Sequence, residues 1–407
     1  LASCADGALA ALASLAPRPN LDAMFGSRLL AERAAFTGHR RAGAISPNGS
    51  CRLLEAADGC FALNLPREDD RELLSAWLES DVPADRPLDW AMLQARIGQR
   101  AVEPLVGRAR LLGLAAAVAW HGRAQTALAP ACPSFRIAPV SARIRAPAGP
   151  LRAPRVLDLS SLWAGPLCTH LLQQLGADVV KLESRQRPDG ARGGSTDFFD
   201  LLNAGKRCVA LDWHSAQGHQ QLHALLRSAD IVIEASRPRA LRQIDVDAEA
   251  LIRERPALSW ISLTGYGREA PQSQWIAYGD DAGVAAGLSA CMAQLTGRMF
   301  IVGDAIADPL SGVHAALAAW AGWLRAAITG FGAGLVSLPL AGVVARCAAF
   351  ERPADVAALR LRAAQWRQQL QQQAIAPAPP QARAVVAAAH TLGADNAAVF
   401  ADWGVGC

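Results

Sequence analysis

The sequence predicts an α/β fold, with a large domain built on a parallel, doubly wound sheet and a smaller α+β domain before it. Three observations point there. From residue 155 onward, short apolar runs alternate with amphipathic stretches of helical length. Before residue 150 the rhythm differs, with helical stretches around a single Asp-Gly hairpin signal. The chain has 407 residues and is 52% hydrophobic, enough for two cores.

The elements follow in order. An Ala/Leu-rich stretch predicts helices over 7–16 and 21–37. Two apolar runs, 51–56 and 60–65, flank Asp58-Gly59 and read as a hairpin. Helices are expected at 68–79, 88–97 and 101–113, and the Pro/Ala/Arg-rich 145–154 reads as a linker. The spacing then predicts strands over 155–159, 179–182, 208–211, 231–234 and 259–263. Between the first two, Pro166 opens a helix whose Leu167, Leu171, Leu172 and Leu175 share a face, and Gly176 closes it. Ser215 caps a helix over 216–228, and another lies near 247–255. A long buried helix is expected over 309–328. A strand over 334–340 follows, which Pro339 pushes to a sheet edge. The Gln-rich and Ala/Pro-rich 364–380 reads as a helix end and linker. The expected domains are 1–150, 151–345 and a C-terminal helical tail, 346–407.

Composition narrows the function. The net charge of +4 suits a site that attracts an anion. Sparse aromatics and the lack of a Lys/Arg run argue against nucleic acid. Nine cysteines without a CxxC fit reduced thiols in a cytoplasmic protein better than a disulfide scaffold or a zinc site. No signal peptide and no apolar span of membrane length is read. The first strand-turn-helix, 157–176, has one glycine where GxGxxG needs three, and no GxxxxGK occurs. NAD and P-loop chemistry are therefore not expected.

The candidate chemistry lies further on. Asp308-Pro309 is an ideal cap and first-position pair for the 309–328 helix, and a helix N-terminus also keeps a carboxylate ionised. Asp304 can orient a site or cap a turn, and Asp280 and Asp281 can be catalytic or cap a helix. His314 sits inside the long helix and reads as a packed histidine.

Several stretches resemble, in order, those of the family III CoA-transferases: LDLSSLWAGPLCTHLLQQLGADVVKLES (157–184), NAGKRCVALD (203–212), ADIVIEASRPRAL (229–241), SWISLTGYG (259–267), GDDAGVAAGL (279–288) and GDAIADPLSGVHAALAAW (303–320). The resemblance implies a Rossmann-like large domain and Asp308 as the covalent catalytic carboxylate, with Asp280, Asp281 and Asp304 as accessory groups. It implies coenzyme A contacts at Leu162, Trp163, Arg185, Lys206, Arg207, Arg237, Arg239 and Arg242, whose bland reading is surface charge or, for Trp163, core. Ala235-Ser236 replaces the family's usual Asn-Phe. In 46–70, a loop of Ser46, Asn48, Gly49 and Ser50 matches the family's glycine-rich lid, and equally reads as a turn before a strand.

In relatives the first half of the large domain precedes the small domain; here small-domain-like sequence comes first. Rearrangement, loss of one lobe of a fused ancestor, or a fragment would each explain it. The activity implied is CoA transfer between an acyl-CoA and a carboxylic acid, with coenzyme A as substrate thioester and no metal. An α-methylacyl-CoA racemase, disfavoured by the missing histidine at 278–281, and a non-catalytic CoA-ester-binding paralogue are the alternatives. The partners implied are those two substrates and a second copy in an interlocked homodimer, with no nucleic acid and no membrane.

Overall fold

A computed structural model describes residues 1–16, 18–83, 87–121, 136–138, 152–329, 334–350, 352–353, 355–374, 376 and 378–406. Its strands are β1 (Cys51–Ala56), β2 (Gly59–Asn64), β3 (Ala115–His121), β4 (Arg136–Ala138), β5 (Arg155–Leu159), β6 (Asp178–Ser184), β7 (Arg207–Leu211), β8 (Ile231–Glu234), β9 (Ser259–Thr264) and β10 (Gly334–Pro339). The first three form an antiparallel sheet; the others lie in the order β4-β10-β9-β8-β5-β6-β7. All neighbours in the larger sheet are parallel except β4 against β10. The six parallel strands, read from β7 to β10, run 3-2-1-4-5-6 in chain order, which is the doubly wound, Rossmann-like arrangement. The order reverses between β5 and β8, and such sheets take ligands beyond the strand C-termini near that point.

The helices that matter here are α1 (Ala2–Leu15), α2 (Glu32–Thr37), α3 (Ala164–Gln174), α4 (Ala216–Ser228), α5 (Gly279–Ala285), α6 (Ala307–Thr329), α7 (Leu340–Phe350), α8 (Val356–Gln372) and α9 (Asn396–Trp403). On one face of the large sheet α3, α6 and α7 bury Leu167, Leu171, Leu310, Val313 and Val344. On the other face, Leu222 and Leu225 of α4 meet Leu251, Phe400 and Trp403. Both faces are therefore covered, as the near-continuous apolar strands require. A third core, around Phe61, Trp77 and Leu93, lies between the small sheet and helices Leu73–Leu78, Trp90–Ile97 and Val102–Leu111.

The segment expected as one unit over 1–150 divides its side chains between two cores. Leu9 and Leu12 of α1 join the large core, while β1–β3 enclose their own. In the tail, no described side chain of α8 is buried, whereas α9 docks on the large sheet.

Much local chemistry behaves as expected. Ser215 Oγ accepts from Gly218 N at 3.0 Å, the helix cap that its position predicts. Gly176 takes a positive φ of 95° after α3. The hairpin forms with Ala56 opposite Gly59. The stretch expected as one helix over 21–37 is broken into Pro19–Asp22, Gly26–Leu29 and α2. Gly26 lies so close to the Ala5 backbone that a Cβ there would overlap it, so the chain folds back onto α1. The expected helix over 68–79 is a tight 3₁₀ turn, Glu68–Arg71, followed by Leu73–Leu78.

Three expectations are corrected or fall elsewhere. β3 was not anticipated: alanine favours helices, but pairing with β2 decides the outcome. β10 is not an edge strand, because β9 flanks it on one side and β4 on the other. Among the described residues, β4 pairs with Leu335–Ser337 and not with Pro339, so the missing N–H of the proline breaks no described ladder bond on that side. Most of the 145–154 linker lies outside the described residues.

The crossing of α3 and α6 depends on Gly312. A Cβ there would stand 2.6 Å from the Ala164 carbonyl oxygen and 3.2 Å from Leu167 Cβ. Gly312→Ala should therefore cost about 1–3 kcal/mol, read as a lower urea midpoint. Gly107→Ala, on an open helix surface, should stabilise by about 0.5–1 kcal/mol. An unchanged midpoint for Gly312→Ala would contradict this crossing.

Candidate active site

The first turn of α6 holds the expected carboxylate. Asp308 is the second helical residue, so the helix starts earlier than its Asp-Pro signature suggests and Asp308 is not the cap itself. Its N–H donates to the Ala305 carbonyl at 2.9 Å. Ala305 has a φ of 48°, a left-handed conformation that costs a non-glycine residue about 1 kcal/mol or more. Two contacts hold it there. Ala305 N donates to Asp280 Oδ1 at 2.8 Å, and the Ala305 carbonyl packs on Gly279. A Cβ at Gly279 would overlap both that carbonyl and Asp308 Oδ2. Only glycine lets the start of α5 come this close.

Four carboxylates thus meet in one small volume. Asp281 is buried and accepts from Asn64 Nδ2 and Tyr278 N, each at 2.9 Å. Its bond to Tyr278 N closes the first turn of α5, so the capping and site readings of Asp281 coexist. Asp304 is not a mere turn cap: it takes Arg33 Nε at 2.9 Å, a second Arg33 contact through Nη2, and His39 Nδ1 at 3.2 Å. Arg33 and His39 come from α2 and the segment after it, and Asn64 ends β2. Chain far from α6 therefore completes the site.

This crowding sets the proton affinities. Burial pushes Asp308 up to about 7; the Arg33 charge opposes it, while Asp280 and Asp281 add repulsion. Burial also raises Asp281 to about 7, against its bonds from Asn64 and Tyr278. Asp280 rises to about 6 by burial, opposed by the Ala305 N–H and by Arg33. Asp304 goes the other way: burial would raise it, but Arg33 and His39 hold it below its ordinary value.

Beside this cluster, a cleft of about 260 Å³ opens at the C-terminal ends of β8 and β9. Arg67, Arg187, Arg237, Ser236, Gly265 and Tyr278 line it. Tyr278 immediately precedes Gly279, so the cleft ends one residue from the glycine that touches Asp308. Arg67 is committed to Asp70 and to the Gly113 carbonyl. Among the described residues, Arg187 and Arg237 enter no ion pair and are exposed.

The remaining expected residues divide. Leu162 is 40% exposed, with a φ of 68°, and its N–H donates to Asp189 Oδ1 at 3.0 Å. Trp163 is buried; its ring meets Phe198 edge-on at 5.1 Å and lies 5.0 Å from the Arg33 guanidinium. Arg185 follows β6 and is exposed, as are Arg237, Arg239 and Arg242 after β8. Two cations are corrected. Lys206 is buried, with its ammonium bonded to Asp158, Thr169, Asn203 and the Pro166 carbonyl, so it offers nothing to a phosphate. Burial, partly offset by Asp158, lowers it to about 8. Arg207 begins β7, at the end of the sheet opposite the cleft, and pairs with Asp178 and Asp402.

Ser46, Asn48, Gly49 and Ser50 form a self-bonded turn. Ser46 Oγ accepts from Cys51 N at 2.9 Å, and Asn48 Oδ1 from Ser50 N at 3.2 Å. The turn leads into Cys51, which packs in one cluster with Val284 of α5. His314 Nδ1–H donates to the Leu310 carbonyl of its own helix at 2.8 Å, as a packed histidine would. Among the described residues, no group of three or more metal-ligating side chains could hold an ion, and no helix is long and apolar enough to cross a membrane.

Sequence reasoning missed Arg33, His39 and Asn64, and gave no role to Gly279 although it opens the 279–288 stretch. Nothing at the positions of the first three marks them; only the fold brings them to the carboxylate cluster.

The profile of CoA-transferase family III matches residues 151–386, and the chain belongs to that family. Among curated relatives, succinate–glutarate CoA-transferase of Agrobacterium fabrum is 28% identical over 196 residues, 45% of this chain and 49% of that protein. Formyl-CoA:oxalate CoA-transferase of Escherichia coli is 30% identical over 190 residues, 45% of this chain and 46% of that protein. A crystal structure of a Mycobacterium tuberculosis protein superposes with a TM-score of 0.44 at 29% identity, over 56% of this chain and 59% of that one. The chain thus spans about half the length of the curated relatives it matches.

Three raised carboxyls make the fold bind more protons than the unfolded chain between about pH 4 and 7. Their contribution to stability is full below the unfolded values and is lost as pH rises through the folded ones. Asp308→Asn should therefore raise the melting temperature over wild type more at pH 8 than at pH 5. Equal shifts at both pH values would contradict the assignment.

Proposed function

We propose that this protein transfers coenzyme A between an acyl-CoA thioester and a carboxylic acid through a covalent intermediate on Asp308. The carrying observation is the nearness of cleft and carboxylate along the chain: Tyr278 lines the cleft, and the next residue, Gly279, lies against Asp308. The named relatives are CoA-transferases, which favours this chemistry over other uses of such a site.

The steps balance without any other reactant. The Asp308 carboxylate attacks the thioester carbonyl and expels CoA thiolate, leaving a mixed anhydride. The thiolate attacks the aspartyl carbonyl of that anhydride, forming an aspartyl-CoA thioester and releasing the donor acid. The acceptor carboxylate then attacks this thioester, thiolate leaves again, and its attack on the acceptor acyl carbonyl yields the new acyl-CoA and restores Asp308. Each covalent stage divides a hard exchange into easier ones. Asp280, Asp281 and Asp304 shape the charge around the nucleophile. Leu162 lies along the thioester arm, and Trp163, buried behind it, is a core residue. Arg187 and Arg237, with Arg185, Arg239 and Arg242, meet the phosphates, for which guanidinium groups are suited. The turn of Ser46, Asn48, Gly49 and Ser50 serves as a lid. The reading includes an interlocked homodimer in the cytoplasm.

One observation favours a second reading, α-proton exchange on an acyl-CoA. His39, oriented through Nδ1 by Asp304, supplies the imidazole that Tyr278–Asp281 lacks. Deuterium entering the α-carbon without an acceptor acid would select it.

Hydroxylamine or borohydride added during turnover should modify Asp308, located by peptide mass spectrometry, and Asp308→Ala should lose at least about 10³-fold in kcat. Full turnover with Asp308 unmodified would reject the transfer mechanism; binding of CoA esters without exchange would make the chain a non-catalytic binder. Because the nucleophile must be ionised, kcat should rise with pH through about 7. Arg237→Ala and Arg187→Ala should raise KM for the CoA ester, increasingly so at low salt, and leave kcat nearly intact. Unchanged KM in the double variant would remove these arginines from the binding site.

A further inference from the structure

Arg33 belongs to α2, more than 270 residues before Asp308, and nothing in the transfer chemistry above uses it. Its guanidinium nevertheless grips the site. It forks onto Asp304 through Nε, at 2.9 Å, and Nη2, and it lies over the Trp163 indole at 5.0 Å. Asp304 opens the turn that leads through the left-handed Ala305 to Asp308. The fork therefore fixes one end of that turn, while Asp280 fixes its middle through Ala305 N. A guanidinium over an indole together with a two-point carboxylate contact is a geometry arginine provides and lysine does not.

The charges facing Asp308 are unequal. From α5 come Asp280 and Asp281, with the Tyr266 phenol and the Cys51 thiol behind Asp281. Its own turn contributes Asp304, and the N-terminal segment contributes Arg33 and His39. Of these groups, Arg33 is the cation that acts most strongly on the Asp308 carboxylate.

We propose that Arg33 is a positioning residue of the Asp308 site: held by Asp304 over Trp163, it fixes the 303–306 turn and brings a positive charge to the carboxylate cluster. The inference rests on Asp308 being the nucleophile. It gives the N-terminal helices a role in the chemistry, since α2 carries the residue and α1 packs against α6.

The test reads protonation directly. Protein labelled with ¹³C at aspartate carboxyl carbons is titrated by NMR, and the Asp308 signal is assigned by its loss in Asp308→Asn. In Arg33→Gln the Asp308 midpoint should rise by about one unit or more, and the acid limb of kcat should move with it. Arg33→Lys keeps the charge but loses the fork: its midpoint should stay near that of wild type, while the yield of trapped intermediate falls several-fold. An unmoved midpoint in a folded Arg33→Gln variant overturns the proposal, even if turnover drops. Should Arg33→Gln not fold, a Lys variant whose midpoint rises by a full unit, or whose trapping yield is unchanged, overturns it equally. If wild type shows no turnover at all, the transfer reading fails, yet the titration still decides the role of Arg33.

Discussion

The contact between Gly279 and the first turn of α6 is the constraint on which the rest depends. It brings α5 against Ala305 and Asp308 with no side chain between them. Four carboxylates then share a space too small and too dry for all to be charged at no cost. The structure answers with bonds from backbone and amide donors to Asp280 and Asp281, and with Arg33 and His39 on Asp304. One carboxylate, Asp308, is left half-buried with few direct donors.

The doubly wound sheet puts the cleft beyond the C-terminal ends of its strands, at β8 and β9, one strand away from the point between β5 and β8 where the order reverses. The sheet also carries a buried ionic network. Asp158 meets Lys206, Ser160 and Thr169, and Lys181 meets Asp189 at 2.9 Å and the Ser160 carbonyl at 3.0 Å. Removing one member of such a network leaves a buried charge unpaired, at a cost of about 3–5 kcal/mol. The network holds the turn that carries Leu162 and Trp163, and so links the sheet to the indole over which Arg33 lies.

Local rules made much of this legible in the sequence. The leucine face of α3, the Ser215 cap, the hairpin and the strand rhythm each follow from short-range periodicity or turn chemistry, which survive in the fold. Asp308 is singled out by its ordered neighbours rather than by its own spacing. What could not be read depends on long-range packing. The alanines of β3 carry no strand preference of their own and form a strand because β2 is beside them. Lys206 looks like surface charge until Asp158, Thr169 and Asn203 close around it. Arg33, His39 and Asn64 reach the site only because α1 docks on α6 and the small sheet docks on α5.

Oxygen isotope transfer tests the central claim most directly. If the acceptor acid carries ¹⁸O in both carboxylate positions, a covalent exchange leaves one ¹⁸O in the Asp308 side chain after a single turnover. The account predicts a 2 Da gain confined to the peptide that contains Asp308. Turnover that leaves this peptide's mass unchanged would contradict it.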